Sequence, residues 1–262
     1  MKNIREDFII ITGSAGFLGS FFVEELIKKD LNLILIDSNN KLLNIQKKKL
    51  KKIYTQSKYY FFNSDISKEK NIKKIFNFSK KNKLKIVTLI NLATIDAKPS
   101  VKITNKYLST KDWNKEIAVG LTGSYLMIKY FGEQMYKNKK GRIVNIGSDL
   151  SVIAPNQDIY KKSYKNFVKP ISYSVIKHGM SGMTKYFASL FADKQVTCNM
   201  LSPGPVLNKQ SSDLKKNLIR SIPMKRLARQ NDLIGTLLFL ISEESSFITG
   251  QNIIIDGGKT II

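Results

Sequence analysis

Seven short apolar stretches alternate along this chain with segments whose apolar residues recur at helical spacing. Phe8–Thr12, Leu33–Asp37, Tyr60–Asn63, Ile86–Asn91, Arg142–Ser148, Val196–Ser202 and Ile253–Asp256 are rich in Ile, Val and aromatic residues and read as strands. Between them, residues 17–29, 41–53, 68–81, 111–137, 171–192 and 230–242 read as helices. Strands this uniformly apolar have no face to give to water, and strand–helix alternation places them side by side in parallel. The pattern predicts an α/β fold: a doubly wound parallel sheet of about seven strands with helices on both faces. No repeat or linker interrupts the 262 residues, so a single domain is expected over 1–262.

Composition removes several function classes. A single cysteine, Cys198, excludes a disulfide framework, and with a single histidine, His178, the sequence predicts no metal site. Cys198 and the helix residues Met180 and Met183 read as core, and His178 as structural. No apolar run approaches the ~20 residues needed to cross a bilayer. At the N-terminus, Thr12-Gly13 cuts the apolar run after Phe8–Ile11, short of the ~7–15 residues of a signal peptide, so the cytoplasm is the expected compartment. The formal charge of +24 attracts a nucleic-acid reading. Yet only Arg5, Arg142, Arg220, Arg226 and Arg229 are arginine, the residue of bidentate phosphate recognition. The lysines of 47–52 and 68–85 interleave with Leu50, Ile53, Ile72, Ile75 and Phe76 as solvated helix faces do, and no nucleic-acid partner is expected.

In a sheet of this kind ligands lie outside the carboxyl ends of the strands. The first strand runs into Thr12-Gly13-Ser14-Ala15-Gly16-Phe17-Leu18-Gly19 and then a helix, a turn that lets backbone approach a pyrophosphate at a helix N-terminus. Asp37 ends the second strand, eighteen residues beyond Gly19, where a carboxylate accepts from a ribose and repels a 2′-phosphate. This favours NAD over NADP, and a helix N-cap is the structural reading of the same residue. Tyr173-Ser174-Val175-Ile176-Lys177 sets a phenol and an ammonium one turn apart on one helix face. A tyrosine near its ordinary pKa of about 10 is a poor base at neutrality, and a neighbouring cation favours the phenolate. Ser148, at the end of the fifth strand, offers a hydroxyl to a substrate carbonyl.

These motifs together resemble the short-chain dehydrogenase/reductase family, in its single-domain branch with a Rossmann fold, nearly end to end. Asp65-Ile66 resembles the family's adenine contact and Asn91-Leu92-Ala93 its strand-four segment. Asp112-Trp113 opens the long fourth helix, and Pro203-Gly204 resembles the nicotinamide-side loop. Residues 222–227 and 247–258 resemble its C-terminal signatures. The resemblance implies catalysis by Ser148, Tyr173 and Lys177 on a small-molecule alcohol or ketone. It implies cofactor contacts from Gly13, Ser14, Gly16, Phe17, Leu18, Gly19, Asp37, Asp65, Ile66, Asn91, Ala93, Tyr173, Lys177, Pro203, Gly204, Val206 and Asn208. It also implies a homotetramer or homodimer built on helices 111–137 and 171–192.

Several positions depart from the family pattern. Gly120 occupies the place of the family's fourth catalytic residue, an asparagine. Thr94 replaces the last glycine of the strand-four segment, and Asn208 a threonine that bonds the carboxamide. The 25-residue interval from Ser148 to Tyr173 is long and holds a lysine- and aromatic-rich insertion at about 151–170, beside the substrate position. It resembles oxidoreductases of surface-glycan and flagellin-sugar pathways. Its side chains suit a sugar ring and an anionic group, and a solvated loop or subunit contact is the bland reading. Two function classes stay open: an active NAD(P)-dependent oxidoreductase, with a sugar or nucleotide-linked sugar as its expected substrate, and a catalytically impaired relative that senses nucleotides or associates with RNA.

Overall fold

Strand β1 (Asp7–Thr12) is buried along its whole length, and its side chains part by parity. Phe8 and Ile10 join one core, and Ile9 and Ile11 join the other. β2 (Asn32–Asp37) repeats the division, Ile34 and Ile36 entering the first core and Leu33 and Leu35 the second. A strand without a polar face needs helices on both sides, and the chain supplies them. The computed structural model describes residues 7–53, 55–95, 107–164 and 167–262. The basic N-terminal segment lies outside these, as do Lys165 and Asn166 of the insertion.

The sheet is parallel throughout, with seven strands in the order β3-β2-β1-β4-β5-β6-β7. From β1 the chain passes through α1 (Phe17–Ile27), β2, α2 (Asn40–Leu50), β3 (Tyr59–Asn63) and α3 (Glu69–Lys81) before crossing back to β4 (Lys85–Asn91). A long helical run follows as α4 (Thr110–Ile117), α5 (Gly123–Met127) and α6 (Glu133–Lys137), joined by π-turns at Ala118–Thr122 and Ile128–Gly132. Then come β5 (Gly141–Ile146), α7 (Gln157–Ser163), α8 (Ile171–Phe191), β6 (Val196–Pro203), α9 (Ser212–Arg220), α10 (Asn231–Ile241) and β7 (Asn252–Ile255). The expected strands stand within two residues of their observed ends, and the expected helix 111–137 is interrupted by the two π-turns.

One core collects Ile72 and Ile75 of α3, Met127 of α5 and Phe187 and Phe191 of α8; the other collects Phe22 and Leu26 of α1 with Leu233 and Leu237 of α10. Each such side chain taken fully from water contributes about 1.5–3 kcal/mol. The lysines of α2 and α3 fall outside: Lys47–Lys49 of α2 and Lys70, Lys73 and Lys74 of α3 are exposed while Leu43, Leu50, Ile72 and Ile75 are buried. Cys198 lies wholly buried in β6, where burial pushes its thiol well above the ordinary range and leaves it protonated. Met180 is buried in a small cluster with Ile176 and Met200, Met183 packs against the first core, and His178 is exposed, its Nδ1 3.0 Å from the Ser174 carbonyl. Among the described residues no helix is long and apolar enough to cross a membrane, and no His/Cys/Asp/Glu group is arranged to hold a metal.

Two elements differ from the sequence reading. The insertion is not a plain loop: Asn156 caps α7 by accepting from the Asp158 N–H, and α7 packs on α9, itself unanticipated. Tyr160 and Tyr164 lie against Phe167, at ring separations of 5.9 and 6.2 Å, over Leu214 and Leu218 of α9. These rings are partly buried and pack within the insertion and on α9.

Candidate active site

The order of the strands reverses between β1 and β4, and at their carboxyl ends opens a cavity of about 930 Å³. Its floor is the glycine turn. Thr12 accepts the N–H groups of Leu92 (3.1 Å) and Ala93 (3.2 Å) on its hydroxyl, drawing the ends of β1 and β4 together. Gly13 sits at φ +66°, and a Cβ there would stand 2.9 Å from the Ala93 backbone. At Gly19 a Cβ would lie 2.1 Å from the Gly13 carbonyl oxygen, so helix α1 reaches the turn only because both positions lack side chains. Gln46 of α2 braces the turn from below, donating to the Ser14 carbonyl at 2.7 Å. No side chain caps the α1 N-terminus, whose Phe17 and Leu18 line the cavity.

Asp37 stands at the end of β2. One carboxylate oxygen accepts from the Ala15 N–H (3.0 Å) and the other from the Asn39 N–H (2.9 Å), so the carboxylate ties the turn to β2 while lining the cavity. The N-cap of α2 is Asn39, which accepts from Leu42. A glycine cradle, an uncapped helix N-terminus and an acceptor carboxylate at this place suit the pyrophosphate and ribose of a dinucleotide.

The opposite wall is α8. Pro170 caps it, and Tyr173 and Lys177 follow on the cavity side. Lys177 is buried and donates to the Ile146 carbonyl at the end of β5 (2.8 Å), which fixes the ammonium 5.5 Å from the centre of the Tyr173 ring. Ser148 follows two residues beyond β5. Its hydroxyl donates to Asp149 Oδ1 (2.8 Å) and accepts from the Leu150 N–H (3.2 Å), while Asp149 Oδ2 pairs with Lys259 from the C-terminal turn.

Of the residues named from the sequence, Gly13, Gly16, Phe17, Leu18, Gly19, Asp37, Asp65, Ile66, Ala93, Tyr173 and Lys177 line the cavity. Ser14 and Ser148 are buried, and Gly147, next to Ser148, lines the cavity. Asn91 is wholly buried and donates to Asn145, which in turn donates to Thr184, both at 2.9 Å; the side chain serves a polar chain under the site. Pro203, Gly204, Val206 and Asn208 do not line the cavity. Val206 bridges to Ala228, Gly204 donates to the Ile255 carbonyl, and Asn208 is exposed. Sequence reasoning passed over Asp149 and Lys259: the first adjoins Ser148, but nothing local marks a lysine 110 residues away as its partner.

Gly120 lies inside the first π-turn, its carbonyl accepting from the Ser124 hydroxyl (3.0 Å). A Cβ at this position would meet Cγ2 of the fully buried Ile176 at 2.8 Å. A side chain of any size at 120, asparagine included, therefore requires Ile176 to move. Gly120→Ala is expected to destabilise the fold by about 1–3 kcal/mol in chemical denaturation, through overpacking. Combined with Ile176→Ala, it should cost less than the two single changes summed, by about 0.5–3 kcal/mol. Additivity would show that the two positions do not compete for space.

Comparison with known proteins agrees with this arrangement. A family model described as enoyl-(acyl carrier protein) reductase matches residues 16–260. The chain belongs to the short-chain dehydrogenase/reductase family. An NAD-dependent glycerol dehydrogenase of Listeria innocua is 28% identical over 99% of this chain and 96% of its own. A 3-oxoacyl-[acyl-carrier-protein] reductase of Buchnera aphidicola is 32% identical over 98% of each. A crystal structure of a short-chain dehydrogenase from Leptospira borgpetersenii with bound NAD+ superposes with a TM-score of 0.84, at 28% identity, covering 99% of this chain and 96% of that one. In this short-chain dehydrogenase/reductase, an oxidoreductase fold thus carries both the glycine cradle and the Tyr173–Lys177 pair on one cavity.

Proposed function

We propose that the protein interconverts a secondary alcohol and a ketone with NAD, NADP being the weaker cofactor, on a sugar, a polyol or a nucleotide-linked sugar. The observation that carries this reading is the placement of Tyr173 and Lys177 on the wall of the cavity whose floor is the glycine turn and whose far end holds Asp37.

Gly13, Gly16, Gly19 and the start of α1 would hold the pyrophosphate, and Asp37 the adenosine ribose. When bound, the nicotinamide supplies or accepts the hydride. The protein's part is position and the proton. In alcohol oxidation, the Tyr173 oxygen as phenolate takes the hydroxyl proton while the C–H bond gives up its hydride, and in ketone reduction the phenol returns that proton to the oxygen. Lys177, held by the Ile146 carbonyl, favours the phenolate by its charge. Ser148 orients the substrate oxygen; its hydroxyl proton, held by Asp149 here, turns toward a carbonyl when one arrives. The polyol and sugar reading draws support from the glycerol dehydrogenase relative, and the preference for NAD from the acceptor role of Asp37. Assembly as a homotetramer, with a homodimer as the alternative, is supported by exposed apolar side chains on α5 and α8: Tyr125, Tyr186 and Leu190.

The test is steady-state turnover with NAD and NADP against polyols, sugar acids, nucleotide sugars and 3-oxoacyl thioesters, followed by the absorbance of the reduced nicotinamide. Turnover of a polyhydroxylated substrate with NAD at least tenfold better than NADP is expected. Preference for acyl thioesters would overturn the substrate class. Dinucleotide binding without turnover of any compound would overturn the enzymatic reading in favour of a nucleotide sensor.

A further inference from the structure

Tyr173 has a second cation against its ring, and the insertion supplies it. Lys169, only 9% exposed, sets its ammonium 4.1 Å from the ring centroid, closer than the 5.5 Å of Lys177. At that distance an ammonium over an aromatic face is strongly attracted, and the more so for being shielded from water. The placement is built. The Lys169 N–H donates to Gln157 Oε1 (2.9 Å), and Gln157 Nε2 donates back to the Lys169 carbonyl (3.1 Å), clamping its backbone to the first turn of α7. On one side Phe167 is buried against Tyr160 and Tyr164. On the other, Pro170 restricts Lys169 to extended backbone before α8 begins. Tyr164 ties the same unit to α9 by accepting the Ser211 N–H (3.2 Å), and Asn217 donates to Ser163 (3.1 Å).

We propose that Lys169 is an electrostatic positioning residue for the reaction, a second cation that the 151–170 insertion lays on the reacting phenol to favour its anion and hold its ring. The inference rests on Tyr173 being the proton-transfer group. Other charged groups stand around the same wall: Lys177 on α8, and Lys115 and Glu116 on α4, the latter accepting from Ser172. Asp149, paired with Lys259, adjoins Ser148, and Asp37, Asp65 and Lys68 lie elsewhere on the cavity.

The phenol is followed directly by carbon NMR with ring-labelled tyrosine, the signal among the 11 tyrosines being assigned by its loss in Tyr173→Phe. In Lys169→Met the Tyr173 titration is expected to move up by about one pH unit, since a neighbouring cation shifts such groups by about 1–3 units. In alcohol oxidation, where the phenolate is the active form, the rising acid limb of the kcat/KM profile should move up with it, giving about a tenfold loss of kcat/KM at pH values below that limb. Lys169→Arg should restore most of the shift, and Gln157→Ala, which frees the backbone clamp, should move the titration the same way by less. An unmoved titration in a folded Lys169→Met protein overturns the proposal, as does equal loss in Met and Arg variants. Were Tyr173→Phe itself to keep full turnover, the proton-transfer reading would fall instead, and the NMR titration would still report whether Lys169 biases the phenol.

Discussion

Tyr173→Phe is expected to lose about 10²–10⁴-fold in kcat, the range supplied by a positioned acid–base group, while dinucleotide affinity stays within a fewfold of wild type. The change removes one oxygen and keeps the ring on which Lys169 and Lys177 rest, at 4.1 and 5.5 Å. The fold should therefore be unaffected in thermal unfolding. Steady-state rates, with fluorescence titration of the reduced dinucleotide, separate the chemical step from binding. A variant within tenfold of wild-type turnover would mean that the proton leaves by another group, and the mechanism above would have to be given up.

Gly19→Ala is expected to weaken dinucleotide binding by more than tenfold. It should also destabilise the fold by about 1–3 kcal/mol, the cost of forcing atoms into filled space. The new Cβ would lie 2.1 Å from the Gly13 carbonyl oxygen and 2.9 Å from Ser14 backbone atoms. These are backbone atoms of a turn held by the Thr12 hydroxyl and by Gln46, with no flexible side-chain end to give way. Gly235→Ala provides the contrast. That glycine is exposed in α10 with nothing within 4 Å of its would-be Cβ, so alanine should stabilise the helix by up to about 1 kcal/mol. Isothermal titration with NAD and denaturant melts of both variants test the pair. Equal effects would show that the approach of α1 to the turn is not what makes Gly19 glycine.

The parallel sheet was legible because its signal is local. Ile9-Ile10-Ile11 and Leu33-Ile34-Leu35-Ile36 are apolar at both parities, and only a strand covered on both faces uses such a run. The glycine turn, Asp37 and the Tyr173–Lys177 spacing were legible for the same reason, each spanning a single turn or helix face. Helix α9 escaped notice because nine residues with Leu214 and Leu218 as their buried anchors make a short and ambiguous pattern. In the insertion the aromatics interleaved with lysines read as ligand contacts; what spacing does not show is that Tyr160 and Tyr164 also pack on Phe167 and α9. The turn after β6 reads as part of the cofactor site; around Val206 the Leu207 N–H donates to the Ala228 carbonyl and the Ala228 N–H to the Pro205 carbonyl, while the Gly204 N–H donates to the Ile255 carbonyl, so long-range backbone bonds shape this turn.

By itself, then, the sequence determined the strand–helix alternation, the glycine cradle and the phenol–ammonium pair, because periodicity and backbone stiffness act between residues a few positions apart. Tertiary structure alone decided three things: that Lys259 reaches Asp149 beside Ser148, that Ile176 fills the space left by Gly120, and that Lys169 lies on the Tyr173 ring. The first two join residues far apart in the chain, and the third depends on how α7 docks on α9. Such contacts follow from how elements close upon one another in three dimensions, and no spacing along the chain encodes that closure.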